Sequence, residues 1–113
     1  MKRLEAIIRP EKLEILKAAL EKVGYPGMMI TELRGHGKQG GVSHQFRGTE
    51  YKMSFLPKVK VEIVVADSQV KKITDAISEV CKSGAVGDGK IFITSVENAI
   101  RIRTGESGDV AVS

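Results

Sequence analysis

Two apolar stripes of identical spacing constrain the fold of this chain more than any other feature. Each stripe places four apolar residues at successive steps of three, four and three positions, which keeps the side chains on one face of an α-helix. The stripes consist of Leu13, Leu16, Leu20 and Val23, and of Val70, Ile73, Ile77 and Val80. The sequence therefore predicts two amphipathic helices, each with one face turned towards a core.

Alternating apolar residues, the pattern of half-buried β-strands, flank both stripes. We predict strands over 2–9, 29–35, 59–65 and 91–96, and a short final strand over 99–103. The order is a strand–helix–strand unit, a long connection and a second such unit, within the length of one domain. This order predicts an α+β fold, the ferredoxin-like βαββαβ sandwich, in which an antiparallel sheet carries both helices on one face.

Such a sheet has a second face that the helices leave open. We predict that Ile7, Ile30 and Val64 point to this face, because they alternate with the helix-facing residues of their strands. Exposed apolar surface of this kind is commonly covered by another subunit, so the sequence predicts a homo-oligomer.

The excess positive charge is concentrated between residues 34 and 60. The chain has a net charge of +4, and this segment contains six Lys or Arg residues and a single acidic residue, Glu50. A local excess indicates an anionic ligand or partner at one place, with a solvated charged loop as the alternative. No aromatic residue lies in the strands 2–9 and 59–65, which argues against RNA binding of the RRM type.

The connection over residues 35–57 has no helical periodicity, and loops of that length in small domains are usually functional or mobile. Tyr51, Met53 and Phe55 alternate, so the alternative is that part of the segment extends a hairpin with an apolar face.

Two glycine-rich segments contain incomplete phosphate-binding motifs. Gly35 to Gly41 has the spacing of a dinucleotide-binding turn, but no helix follows it. Gly84 to Lys90 matches the first seven positions of a P-loop, but Ile91 stands where Ser or Thr would bind magnesium, and the segment leads from a helix into a strand. Consecutive small residues nevertheless expose backbone N–H groups that form an anion nest.

Lys90 adds a point charge at the end of this nest, and three further cations are candidates for anion contacts. Arg101 and Arg103 lie two positions apart, so they are predicted to share one face of an extended segment, where guanidinium groups suit phosphate oxygens. Lys58 lies at the start of the third strand and is placed to receive a carboxylate. Taken singly, glycines of this kind are more often turn residues and arginines more often solvated cations, and it is their combination that indicates a phosphate site. A phosphate-transferring enzyme, the other alternative, would need a nucleophile or base here, and Asp88 is the one candidate.

Three segments resemble the PII nitrogen-signalling proteins, in the same order and with matching lengths between them. They are residues 50–62, 84–92 and 100–106, and the opening Glu-Ala-Ile-Ile-Arg-Pro is also similar. The resemblance spans essentially the whole chain. It implies one PII-like domain over 1–113, with a mobile T-loop at 35–57, a phosphate-binding loop at 82–90 and a C-terminal segment at 101–113.

The resemblance implies a homotrimeric, non-enzymatic sensor. Clefts between neighbouring subunits would bind ATP or ADP competitively, and 2-oxoglutarate together with Mg²⁺ and ATP. The nucleotide-binding residues would be Ile7, Met29, Gly35, Gly37, Lys38, Gln39, Val64, Gly87, Asp88, Gly89, Lys90, Arg101, Ile102 and Arg103. The 2-oxoglutarate-binding residues would be Gly37, Gln39, Gly40, Gly41, Lys58 and Gly87, with Gln39 also coordinating the magnesium ion.

The resemblance also implies how the protein acts on its targets. The T-loop would dock on ammonium transporters and on enzymes or regulators of nitrogen assimilation, with Arg47 contacting a transporter pore. Tyr51 occupies the position that a nucleotidylyltransferase uridylylates or adenylylates in many members. With no export signal or bilayer-spanning stretch in the sequence, a cytoplasmic protein is expected, membrane-associated through a transporter.

Four positions depart from the commoner family pattern. Lys38 stands where Arg is frequent and Met29 where Thr is frequent, and these two would alter nucleotide affinity. Phe46 stands where a second Tyr is often found and Gly40 where Lys often lies, and these two would affect loop flexibility and partner choice.

Overall fold

The computed structural model describes residues 1–36 and 55–113 in full, and the backbone of 43–46 and 49–52. Strand β1 (Lys2–Ile8) leads through a 3₁₀ turn at Pro10–Lys12 into helix α1 (Leu13–Val23), which strand β2 (Met29–Gly35) follows. Two short strands, β3 (Ser43–Phe46) and β4 (Thr49–Lys52), precede the long strand β5 (Leu56–Val65). Helix α2 (Val70–Cys81) and strand β6 (Lys90–Ser95) follow in turn.

Four strands form one antiparallel sheet in the order β2-β5-β1-β6. Both helices pack on one face of this sheet, since the buried core joins residues of both helices to alternate residues of β1 and β5. The core consists of Leu4, Ala6, Ile8, Leu16, Leu20, Val59, Val61, Ile63, Val65, Ile73, Ile77 and Cys81. The α+β ferredoxin-like architecture predicted from the two stripes is therefore confirmed.

The sheet extends further into the central connection than the sequence predicts. Gly35 belongs to β2 and pairs with Leu56, and Arg34 pairs with Pro57. Within the connection β3 and β4 form a separate two-stranded antiparallel sheet. A hairpin was the alternative interpretation of this segment, and the pairing of 43–46 with 49–52 supports it for those backbone residues.

The predicted final strand over 99–103 is wrong. Apart from one isolated bridge between Ile100 and Ser107, the segment turns back on itself. The Gly105 N–H donates to the Arg101 carbonyl at 2.7 Å, and Gly105 has a φ of 75°, a conformation that glycine adopts without strain. Ile102, whose alternation with Ile100 indicated a strand, is 100% exposed.

The predicted position of Ile30 on the open face is also wrong. Ile30 pairs with Val61 and therefore lies on the helix-facing side, whereas Met29 pairs with Glu62 on the open side. In this edge strand, apolar residues occur at both odd and even positions. The alternation alone therefore does not determine which side of the strand faces the helices. Ile7 and Val64 lie on the open face as predicted, opposite Lys60 and Arg3.

Among the described residues, no helix combines the length and the apolar character that crossing a bilayer requires.

Adjacent residues of α1 provide a test of this core. Leu16 has no exposed surface and Ile15 is 51% exposed. We expect Leu16→Ala to lower the free energy of unfolding by about 3 kcal/mol, because it leaves a cavity in the core. Ile15→Ala should cost less than about 1 kcal/mol. Urea denaturation at matched protein concentrations measures both, and equal losses would contradict the assigned helix orientation.

Candidate anion-binding site

The glycine loop, residues 82–89, connects α2 to β6 and lies directly against β1. A Cβ atom added to Gly89 would lie 1.7 Å from the Ile7 carbonyl oxygen, and the φ of Gly89 is 93°. Neither the space nor the backbone conformation suits a side chain. Glycine at this position therefore lets the loop approach the end of the central strand.

Asp88 closes the glycine loop on itself. Its carboxylate accepts hydrogen bonds from the Ser83 N–H at 2.8 Å, from the Gly84 N–H at 2.9 Å and from the Ser83 hydroxyl. These bonds, those from Ser83 foremost, lower the pKa of Asp88 to about 2, with a further contribution from the charge of Arg9. The carboxylate is ionised, and its oxygens already accept hydrogen bonds from Ser83 and Gly84. A phosphate bound at this loop would therefore contact the backbone of Asp88 rather than its side chain.

Two cations hold consecutive residues of the loop. Arg9 Nη2 donates to the Val86 carbonyl at 2.9 Å, and Lys58 Nζ donates to the Gly87 carbonyl at 2.9 Å. Arg9 Nε also lies 3.5 Å from an Asp88 carboxylate oxygen. The loop is thus fixed at 86, 87 and 88 by side chains from the end of β1 and from β5.

Lys58 is a buried cation without a counter-ion among the described residues. It is 7% exposed, and the ion pairs within 4.0 Å do not include it. Burial is the main cause that lowers the pKa of Lys58, and the Arg9 charge lowers it further, against smaller opposite effects of Glu11 and Asp88. A buried charge in this state is stabilised by any anion that reaches it.

The neighbourhood of Lys58 has room for a small ligand. A cavity of about 440 Å³ is lined by Pro10, Glu32, Leu33, Arg34, Pro57, Lys58 and Val59. The Cβ of any residue replacing Gly35 would lie 3.2 Å from Lys58 Cγ, so glycine gives the lysine stem its space. The predicted residues Ile7, Gly35, Lys58, Gly87 and Gly89 are therefore brought together.

Other predicted residues extend this region along the sheet. Lys90 pairs with Ile7 at the start of β6. Met29 and Val64 lie farther along the open face, and Met29 is 59% exposed. Phe92, opposite Glu5, adds a second large exposed side chain to the same face, a position that the sequence patterns did not indicate.

The structure does not join the arginine segment to the glycine loop. Arg101 donates to Glu106 at 2.7 Å and to the Val110 carbonyl at 2.9 Å, so these bonds stay within the C-terminal segment 101–113. Arg103 is exposed, and the turn removes the shared extended face predicted for the two arginines. A bond from the Thr104 hydroxyl, with help from Arg101, lowers the pKa of Glu106.

Some predicted contacts lie outside the described residues. These are the contacts assigned to Gly37, Lys38, Gln39, Gly40, Gly41 and Arg47, and those of the side chains of Phe46 and Tyr51. Arg9 is the reverse case, because the structure gives it two contacts with the loop and the sequence analysis assigned it none. The available signal was its place at the end of the first predicted strand, within the opening segment that resembles the PII proteins.

Comparison with known proteins decides the family. A family model described as nitrogen regulatory protein P-II matches residues 1–106. The chain belongs to this P-II family. It is 53% identical to the nitrogen regulatory protein P-II of Bradyrhizobium diazoefficiens over 108 residues, which cover 96% of each chain. It is 52% identical to P-II 2 of Methanothermobacter thermautotrophicus over 112 residues, 99% of this chain and 97% of that protein.

The resemblance identified from three segments is therefore confirmed at the level of the family, and these P-II relatives are named as regulatory proteins. The P-II relative from Nostoc punctiforme is 53% identical over 112 residues, 99% of this chain and all of that protein. The match includes the glycine loop and ends at residue 106, within the C-terminal segment 101–113.

Two glycines of the loop test how it is held. We expect Gly84→Ala to lower the free energy of unfolding by about 1 kcal/mol, the strain of a positive φ, because nothing lies within 4 Å of the added Cβ. Gly89→Ala should cost about 3 kcal/mol, since the Ile7 carbonyl must move as well. Denaturation of both variants at one protein concentration gives the comparison, and equal costs would mean that the loop does not rest on β1.

Proposed function

We propose that this P-II protein is a sensor that binds ATP or ADP at the glycine loop and 2-oxoglutarate at Lys58, and signals through residues 35–57. The observation that carries the proposal is the buried residue Lys58, whose ammonium group lacks a carboxylate partner among the described residues and contacts the glycine loop. A ligand carboxylate would supply the missing counter-charge.

The nucleotide would bind through its phosphates. Gly87 and Gly89 both adopt positive φ, which suits a loop that presents backbone N–H groups to an anion, and Lys90 adds a cation at its end. Met29 and Val64 on the open face would contact the base and sugar. Gln39, which would bring Mg²⁺ to the phosphates, lies outside the described residues.

A homotrimer explains two features of the isolated chain. The open sheet face exposes Met29 and Phe92, a surface that subunit contact would cover. Arg101 and Arg103 also belong to the proposed nucleotide site but make no bond to the glycine loop of their own chain. A cleft between subunits would bring the arginine segment of one chain to the loop of another.

The signal would pass to targets through the connection between β2 and β5. Ligands shift a conformational equilibrium only when they bind its states with different free energies. ATP with 2-oxoglutarate, and ADP, would thus favour different arrangements of residues 35–57. The targets would be ammonium transporters and enzymes or regulators of nitrogen assimilation, with Arg47 as a contact and Tyr51 as a site for uridylylation or adenylylation.

Calorimetry tests the proposal most simply. 2-Oxoglutarate is titrated into the protein with Mg-ATP, with Mg-ADP and without nucleotide, and we expect binding with Mg-ATP only. Lys58→Gln should weaken this binding about 100-fold, because a close buried charge pair is lost. Lys71→Gln, which removes an exposed charge from α2, is the matched control and should leave it unchanged.

Three results would count against this function. If 2-oxoglutarate binds equally well with and without the nucleotide, the two ligands are not coupled. If Lys58→Gln binds 2-oxoglutarate with unchanged affinity, the ligand carboxylate does not bind at Lys58. Nucleotide binding without any response to 2-oxoglutarate would reduce the protein to an ATP/ADP sensor.

A further inference from the structure

Arg9 contacts the glycine loop on both sides of the residue that Lys58 holds. It donates to the Val86 carbonyl at 2.9 Å and lies 3.5 Å from the Asp88 carboxylate, while Lys58 bonds to Gly87 between them. Arg9 Nε is buried and has no hydrogen-bond partner among the described residues. The loop thus has two independent cationic anchors, one at the end of β1 and one in β5.

The two anchors differ in what else they are placed to bind. Lys58 lines the cavity of about 440 Å³, whereas Arg9 does not. A hydrogen bond from an ammonium group to a carboxylate is stronger than one to a backbone carbonyl. A carboxylate that draws the ammonium group into this cavity would lengthen or break the bond from Lys58 to the Gly87 carbonyl, while the Arg9 contacts would stay in place.

We propose that Arg9 is a positioning residue that keeps the glycine loop on β1 when Lys58 turns to a ligand carboxylate. The inference rests on the proposed function, because it needs a phosphate ligand on the loop and a carboxylate ligand at Lys58. With Arg9 present, the phosphate-binding conformation survives binding of the carboxylate. Without Arg9, binding of the carboxylate would loosen the remaining one of the two cationic contacts at 86–88.

The consequence is thermodynamic. Two ligands that bind to one protein affect each other's affinity by the same factor, commonly between about 5-fold and 150-fold. Loss of Arg9 should lower nucleotide affinity modestly when Lys58 still holds Gly87, and much more when 2-oxoglutarate occupies Lys58. The effect of Arg9 therefore lies in the coupling between the ligands. A merely structural role would lower the nucleotide affinity by the same factor with and without 2-oxoglutarate.

The test measures Mg-ATP affinity by calorimetry, without 2-oxoglutarate and with a saturating concentration. For Arg9→Gln we expect about a threefold loss without 2-oxoglutarate and a further loss of about tenfold with it, within the ordinary range of coupling. Arg9→Lys should recover part of the coupling, since lysine keeps the charge and one donor for the Val86 carbonyl. Lys71→Gln is the control for removal of an exposed charge. Thermal melts confirm that each variant is folded.

The outcomes separate the inference from the proposed function. If the unaltered protein couples the two ligands and Arg9→Gln loses the same affinity in both conditions, or loses none, Arg9 does not position the loop and the inference is overturned. If the unaltered protein binds no 2-oxoglutarate with Mg-ATP, the proposed function is overturned and the inference with it. A selective loss of coupling in Arg9→Gln supports both.

Discussion

The hydrogen bond from the ammonium group of Lys58, a largely buried residue, to the Gly87 carbonyl is the interaction on which the rest of the site depends. It fastens the glycine loop to a neighbouring strand, and it leaves a positive charge in a place where water does not fully solvate it. Burial of a cation is costly, so its retention at this point favours a functional explanation over a stabilising one. Under the proposed function, the cavity beside Lys58 and the loop that Lys58 holds are two halves of one anion site.

The central strand makes this arrangement possible. β1 is hydrogen-bonded to β5 on one side and to β6 on the other, so the position of its end is well determined. Arg9 leaves this end to reach the loop, and the Ile7 carbonyl sets how closely Gly89 approaches. The apolar core, which joins β1 to residues of both helices such as Leu16 and Ile77, therefore supports the geometry of the site as well as the stability of the fold.

Sequence patterns predicted what depends on local periodicity and missed what depends on contacts between distant residues. The two stripes determined the helices, and the glycine spacing with Lys58 indicated anion binding. Ile30 was assigned to the wrong face because apolar residues occur at both odd and even positions of that edge strand. The predicted final strand was wrong because the chain reverses direction at a turn that ends at Gly105. Arg9 could not be assigned, since its bond to Val86 joins positions 77 residues apart.

A structure of the protein with Mg-ATP and 2-oxoglutarate bound would test the central claim most directly. The account predicts Lys58 Nζ about 2.8 Å from a carboxylate oxygen of 2-oxoglutarate, with the phosphates on the glycine loop and Arg9 still bonded to the Val86 carbonyl. A carboxylate bound away from Lys58, with the lysine engaged only by Gly87, would contradict it.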